Sequence, residues 1–519
     1  MSSIITAAQL RELLDTDSEL AVLDLRTPQE RTTGHIARST GVPLHDLEQR
    51  IARLVPRRHT PIVLASTRDL DERGTAILGD LGYTDVRLLP DGVGSWTEAG
   101  QRLYTGTNVL SKTLGEWIEE TFGTSTVDPQ TVQDWREEGR DVIVLDSRPH
   151  AEYVHHHIPG AYDTGGGAEL AYRGLDTVPD PDTTIVVNCA GRTRGIVGAQ
   201  SLVNTGIPNP VYSLQNGTPA WEWAGLEIVQ GDEKSLDAPL HVERHLLRWA
   251  ADTLAEAEAE VLDSTQVDAW LRDTAHTTYV IDIRSPEEYA AGHLPGSHHV
   301  QGGQLIQTSD EHLAVQQSRV VLIDTEDHVR AASTVQWLRY LHRGPLAIHT
   351  YTPSGLTIES SDISVPAVST ISGVELAEIV GTGTATVVDL RSSSAYRRAH
   401  VPGSIHARRE HLESIADGAS SPLVLVGDSS YLPHFAAAEL TAPAAVLDGG
   451  IDAYLGELTA ERPAYAGDIV DQTGPPPFGP ERDAFYRAYF EWEYSLVPSS
   501  EGDPDFGFDR IATRTRLLR

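Results

Sequence analysis

With one cysteine, Cys189, in 519 residues, the chain cannot form an intramolecular disulfide. The same scarcity excludes a CxxC redox centre and a cysteine-rich zinc site. Methionine also occurs only once, and the shortage of both sulfur residues points to a bacterial source. There is no run of about 18 apolar residues, so no transmembrane helix is expected. The N-terminal stretch MSSIITAAQLRELLDTDSEL lacks the basic start and apolar core of a secretory signal. It reads as a strand followed by a helix, and the expected compartment is the cytoplasm. Positive charge is scarce as well: 40 Lys and Arg face 75 Asp and Glu, for a net charge of −35. Such a field repels phosphate backbones and anionic membrane surfaces, so neither nucleic acid nor a membrane is an expected partner. A small anion would need local positive charge of its own. What remains is an ordinary globular composition, 40% hydrophobic. The length calls for about three or four domains.

The chain repeats itself. A short apolar strand ending in Asp-x-Arg occurs four times: Asp24 and Arg26, Asp146 and Arg148, Asp282 and Arg284, Asp389 and Arg391. Six residues after the Asp stands Glu30, Glu152 or Glu288, with Ala395 in the fourth copy. Eleven residues after it stands His35, His157, His293 or His400. Three copies continue into a Pro-Gly turn (HIPGA, HLPGS, HVPGS), and the first has HIARS. A second apolar strand follows in each copy: PIVLAS, TIVVNC, VVLID and LVLVGD. Copies one, two and four show a third strand and turn, which copy three is expected to lose to RGPLAIHTYTPSG. Strands alternating with helical stretches at this spacing predict an α/β fold with a mainly parallel sheet in each copy.

The expected domains run 1–108, 109–235, 263–362 and 363–465, with a helical linker at 236–262 and an aromatic tail at 466–519. Residues 109–122 read as an amphipathic bridging helix. The tail, with TGPPPFGP and RDAFYRAYFEWEY, belongs to no repeat and is expected to pack back on a domain or on a second subunit.

In copy two the strand TIVVN runs into Cys-Ala-Gly-Arg-Thr-Arg-Gly, residues 189–195, with a helix at once behind it. A thiol there lies at the ligand edge of an open α/β sheet, where unpaired N–H groups of a helix N-terminus stabilise an anion. They are expected to lower the pKa of the thiol. Gly191 lets the backbone curl around the sulfur. Arg192 and Arg194 add positive charge within a negative protein, so a small anionic substrate is expected. A lone cysteine is otherwise a buried small hydrophobe, and this loop argues against that reading.

The Asp-x-Arg strand, the HIPGA turn and the CAGRTRG loop together resemble the rhodanese family, and the repeat resembles rhodanese domains up to about residue 465. The resemblance implies four tandem rhodanese-like domains, each a mainly parallel five-stranded sheet flanked by helices. It implies sulfane-sulfur transfer from thiosulfate or a related donor to cyanide or a thiol, through a persulfide on Cys189. Ala190, Gly191, Arg192, Thr193, Arg194 and Gly195 would form the loop that cradles it. Asp146 and Arg148 are expected to support the fold. No cofactor or metal is needed. The implied partners are the sulfur donor and its acceptor, and the aromatic tail is compatible with a homodimer.

By position, Ser66 (or Thr67), Asp324 and Asp428 stand where Cys189 stands, which predicts three inactive copies. The run His155, His156 and His157 is not expected to bind metal, because His157 belongs to the repeat. Trp221 and Trp223 read as core or rim. A cysteine phosphatase needs an Arg six residues after its Cys, and here that residue is Gly195. A persulfide carrier or scaffold for a partner enzyme is the non-catalytic alternative.

Overall fold

The computed structural model describes residues 3–178, 180–353, 356–358, 363–419, 422–428, 431–509 and 511. Each copy builds one parallel sheet. In copy two the strand order is Thr126–Val127, Val211–Leu214, Thr184–Asn188, Val142–Asp146, Tyr162–Asp163. The β-branched run Thr184–Asn188 is the middle strand and is buried throughout, as expected when helices cover both faces of a parallel sheet. The other copies repeat this order, and copy four adds a sixth strand, Ala464–Tyr465, beside Ile405–His406.

Copy three keeps the third strand that sequence patterning missed. Leu346–Thr350 pairs with Arg319–Asp324 on one side and Glu260–Val261 on the other. The apolar stretch LAIHT is short and its flanks are atypical, but the sheet leaves a slot for one strand and this segment fills it. No short helix like Gly217–Trp223 of copy two follows it among the described residues.

The contacts divide the chain into two compact units that do not follow chain order. One holds residues 1–14, 20–107 and 360–474, copies one and four; the other holds 15–19, 108–359 and 475–519, copies two and three with the end of the tail. In the first unit Arg409 of copy four reaches Glu48 of copy one at 2.6 and 3.0 Å and also meets Glu439. His45 Nδ1 accepts from the Arg409 backbone N–H at 3.1 Å.

In the second unit the helix Val109–Phe122, expected from sequence as an amphipathic bridge, is buried over most of its length. Residues 109 to 118 are all buried, because the helix packs between Thr193–Asn204 of copy two and helices of the tail. The linker helix Arg244–Glu256 packs on Val329–Leu341 of copy three. The tail splits: Gln29 and Ser393 of the first unit bond Ile469 and Asp471, whereas the helix Pro480–Tyr494 lies on copy two of its own chain. No helix among the described residues is long and apolar enough to cross a membrane.

The repeat grammar has a structural cause. In every copy the Arg of Asp-x-Arg binds its Asp in two places and donates to a carbonyl eight residues on: Gly34, His156, Gly292 or Ala399. The pair therefore staples the strand to the end of the next helix. The repeating His stacks on a tyrosine four residues before it, Tyr153, Tyr289 or Tyr396, at 3.8, 3.9 and 4.2 Å between ring centroids. Each of these hydroxyls donates to a carbonyl eight residues on, at Ala161, Ser297 or Ser404.

Candidate active site

Cys189 directly follows the middle strand of copy two. The strand's last residue, Asn188, donates to Asp146 at 3.0 Å and to Thr218 at 3.1 Å. Asp146 and Arg148 are fully buried and bonded to each other, so they hold the strand and do not line an opening. Gly191 N–H donates to Cys189 Sγ at 3.3 Å. The helix Thr193–Asn204 starts four residues after the sulfur. A Cβ on Gly195 would stand 2.9 Å from Ser213 Oγ and 3.5 Å from Cys189 Sγ, so only glycine lets the helix come this close. On the far side, Thr218 N–H donates to the Cys189 carbonyl at 2.9 Å. Gly217, at φ +56°, leaves room for that carbonyl: a Cβ there would lie 2.2 Å from it.

The two loop arginines do different work. Arg194 pairs with Glu152 at 2.8 and 2.9 Å, and its charge favours the thiolate of Cys189. Arg192 is buried and committed elsewhere. It binds both oxygens of Glu116 at 2.7 Å, meets Glu119, and donates to Tyr494 Oη at 2.8 Å. It ties the loop to the helix Val109–Phe122 and to the C-terminal helix, and its charge is answered by two carboxylates. As an anion ligand, the role expected for it from sequence, it is therefore poorly free. Ala190 is half-buried and Thr193 is buried, with Thr193 Oγ1 3.4 Å from Glu493.

The expected lowering of the thiol pKa is not found. Burial pushes the Cys189 thiol up, against the pull of Arg194 and of the Gly191 and Gly195 N–H groups. Cys189 is 2% exposed, and the C-terminal helix covers its loop. Gly191 faces the rings of Tyr489 and Phe490, which would stand 3.6 and 3.7 Å from a Cβ built there. Trp223 anchors that helix, donating to Asp483 at 3.1 Å and meeting Phe490 edge-on at 5.7 Å. Trp221 is core. Sequence reasoning found the Cys189 loop and missed Glu152, Asn188 and the tail residues Tyr489, Phe490, Glu493 and Tyr494. Only Glu152 carried a signal, its place in the repeat.

The rhodanese-like domain family matches the chain at residues 6–99, 128–224, 263–351 and 372–457. A crystal structure of thiosulfate sulfurtransferase from Pseudomonas aeruginosa superimposes with a TM-score of 0.90 at 34% identity, covering 98% of this chain and 99% of that one. This chain belongs to the rhodanese family. Family and neighbour together support sulfurtransferase activity for it. A rhodanese-related protein from Thermoplasma volcanium is 27% identical over 20% of this chain and 99% of its own, with a TM-score of 0.18. No curated protein sequence matches the chain.

Sheet register settles which residue each of the other rhodanese-like domains puts at the cysteine position. Cys189 follows the residue paired with Asp146. By the same rule Asp324 follows Ile323, the partner of Asp282, in copy three. In copy one Leu23 pairs with Leu64, which puts Ser66 there, and Val93 N–H donates to its carbonyl as Thr218 does to that of Cys189. In copy four Asp389 pairs with Val426, so the position belongs to Gly427 and not to Asp428. Ile451 N–H donates to the Gly427 carbonyl, repeating the contact. Sequence alone slipped by one there.

Copy three shows what fills a loop without cysteine. Asp324 accepts from Arg330 Nε at 2.9 Å, Ala331 N–H at 2.9 Å and Thr325 N–H at 2.8 Å. Arg330 in turn binds Glu288, as Arg194 binds Glu152. The cradle that could hold an anion holds the domain's own carboxylate. Among the described residues no group of three or more His, Cys, Asp or Glu is placed to hold a metal.

Proposed function

We propose that the protein is a thiosulfate-type sulfurtransferase in which Cys189 carries the sulfur. The observation behind this reading is the position of the chain's lone cysteine: it directly follows the middle strand of copy two and accepts the Gly191 N–H beside the charge of Arg194. The Cys189 thiolate attacks the outer sulfur of thiosulfate. The S–S bond of the donor breaks and sulfite leaves with the electron pair. The persulfide anion is held by loop N–H groups, which act as an oxyanion hole does. Cyanide or a thiol then takes the outer sulfur and returns the thiolate, a two-step covalent cycle with ping-pong kinetics.

The test is thiocyanate formation from thiosulfate and cyanide, with intact mass measured in parallel, for the native protein and Cys189→Ser. Turnover and a mass gain of one sulfur are expected, both lost in the variant. No gain with any sulfane donor would overturn the reading. A specific observation, the burial of Cys189 beneath the C-terminal helix, favours a second reading: a persulfide carrier discharged only by a partner protein. Sulfur loading without turnover on small acceptors would select it.

A further inference from the structure

The C-terminal helix lies outside all four rhodanese-like matches, yet it brings a carboxyl to the sulfur loop. Glu493 is fully buried. Its Oε1 accepts from Tyr489 Oη at 2.7 Å and from Thr193 Oγ1 of the loop at 3.4 Å. Its Oε2 has no hydrogen-bond partner among the described residues. A buried carboxyl oxygen left unsatisfied is costly. The groups facing Glu493 are Lys112 and Glu116 from the helix Val109–Phe122, Arg192 from the loop, and Tyr489 from its own helix. Lys112 Nζ stands 4.8 Å from the Tyr489 ring and 4.9 Å from that of Trp492. Burial raises the carboxyl to about 7, with Lys112 and Tyr489 opposing. The charge of Glu493 adds to the upward push on the Cys189 thiol.

A negative group beside the sulfur does nothing for an anionic donor. It suits a substrate that must lose a proton. We propose that Glu493 is the proton acceptor for a thiol that discharges Cys189, so that this site assists a thiol acceptor in a way that it does not assist a preformed anion. The inference rests on the reading of Cys189 as the sulfur carrier. In the step, R–SH gives its proton to the Glu493 carboxylate. The resulting thiolate attacks the outer sulfur of the Cys189 persulfide anion, forming a new S–S bond. The bond to Sγ breaks and its electron pair stays on Cys189 as thiolate. The product is R–S–S⁻, and the proton passes from Glu493 to solvent. A base that titrates near the working pH is the effective one.

The experiment loads the full-length protein with thiosulfate, confirms the added sulfur by mass, and follows discharge to dithiothreitol and to sulfite, which carries no proton to lose above neutral pH. In Glu493→Gln the ratio of thiol to sulfite discharge is expected to fall at least about tenfold. The deficit should vanish at pH values where the thiol ionises unaided, a rescue that misfolding would not produce. In the native protein, thiol discharge should rise through about pH 7, a limb that Glu493→Gln should lack. An unchanged ratio in Glu493→Gln, or a native thiol profile without that limb, overturns the proposal. A native protein that never gains sulfur overturns the sulfurtransferase reading, and a loaded Glu493→Gln protein with a native ratio leaves that reading standing and removes this one.

Discussion

Gly217→Ala and Gly225→Ala should separate backbone strain from crowding at the sulfur loop. Both glycines have positive φ, +56° and +73°. An alanine in that region costs about 1–2 kcal/mol for conformation alone. At Gly225 nothing lies within 4 Å of the added Cβ, so that cost is the whole effect. At Gly217 the Cβ would meet the Cys189 carbonyl oxygen at 2.2 Å and the Gly191 O and N at 2.8 and 2.9 Å. These are backbone atoms and cannot rotate aside. Overpacking of this kind adds about 1–3 kcal/mol, for a total of about 2–5 kcal/mol. The clash is relieved only by moving the loop that presents the sulfur. A displacement near 1 Å at a reacting group costs roughly a hundredfold in rate. Denaturant unfolding should therefore rank Gly217→Ala below Gly225→Ala. Sulfur loading, measured by mass well below the unfolding transition, should be slow in Gly217→Ala alone. Equal stability and equal loading in the two variants would refute the argument that the Gly217 turn sets the geometry of Cys189.

Arg409→Met removes the guanidinium that neutralises Glu48, whose side chain is 5% exposed. Leaving that carboxylate buried without its partner should cost about 3–5 kcal/mol in denaturant unfolding. Asp71, which accepts from Ser66 N–H at 3.1 and 3.2 Å, is raised from 3.8 to about 7 by burial. The unfolded chain releases that proton near pH 3.8 and the folded one holds it to about 7, so Asp71 lowers stability as pH rises through that window. Asp71→Asn should flatten this part of the stability–pH curve and gain roughly 1–3 kcal/mol at pH 8; an unchanged curve would contradict the burial of a protonated Asp71.

Much of the fold was legible because a parallel sheet writes itself locally. A short β-branched run, a staple residue at its end and a glycine turn are all set by neighbours in the chain, and four repetitions of them name the sheets. The Cys189 loop was legible for the same reason: thiol, glycines and helix start are contiguous. Local patterning failed where register or environment, not residue type, made the difference. Copy four pairs Asp389 with Val426, a register that puts Gly427 at the cysteine position. Copy three keeps a strand whose flanks no longer look like the others.

By itself, then, the sequence determined the four sheets, the staple pairs and the lone thiol at a strand end. Only the tertiary structure decided that copies two and three share one compact unit and copies one and four the other. It also decided that Arg192 spends its charge on Glu116 and Glu119, and that Tyr489, Phe490 and Glu493 from some 300 residues away close over the sulfur. Those outcomes depend on which buried faces meet, a matter of packing between distant segments that no local pattern encodes. The thiol's pKa follows the same logic: the loop's own N–H groups favour the thiolate, and burial of the sulfur in the folded protein reverses the sign.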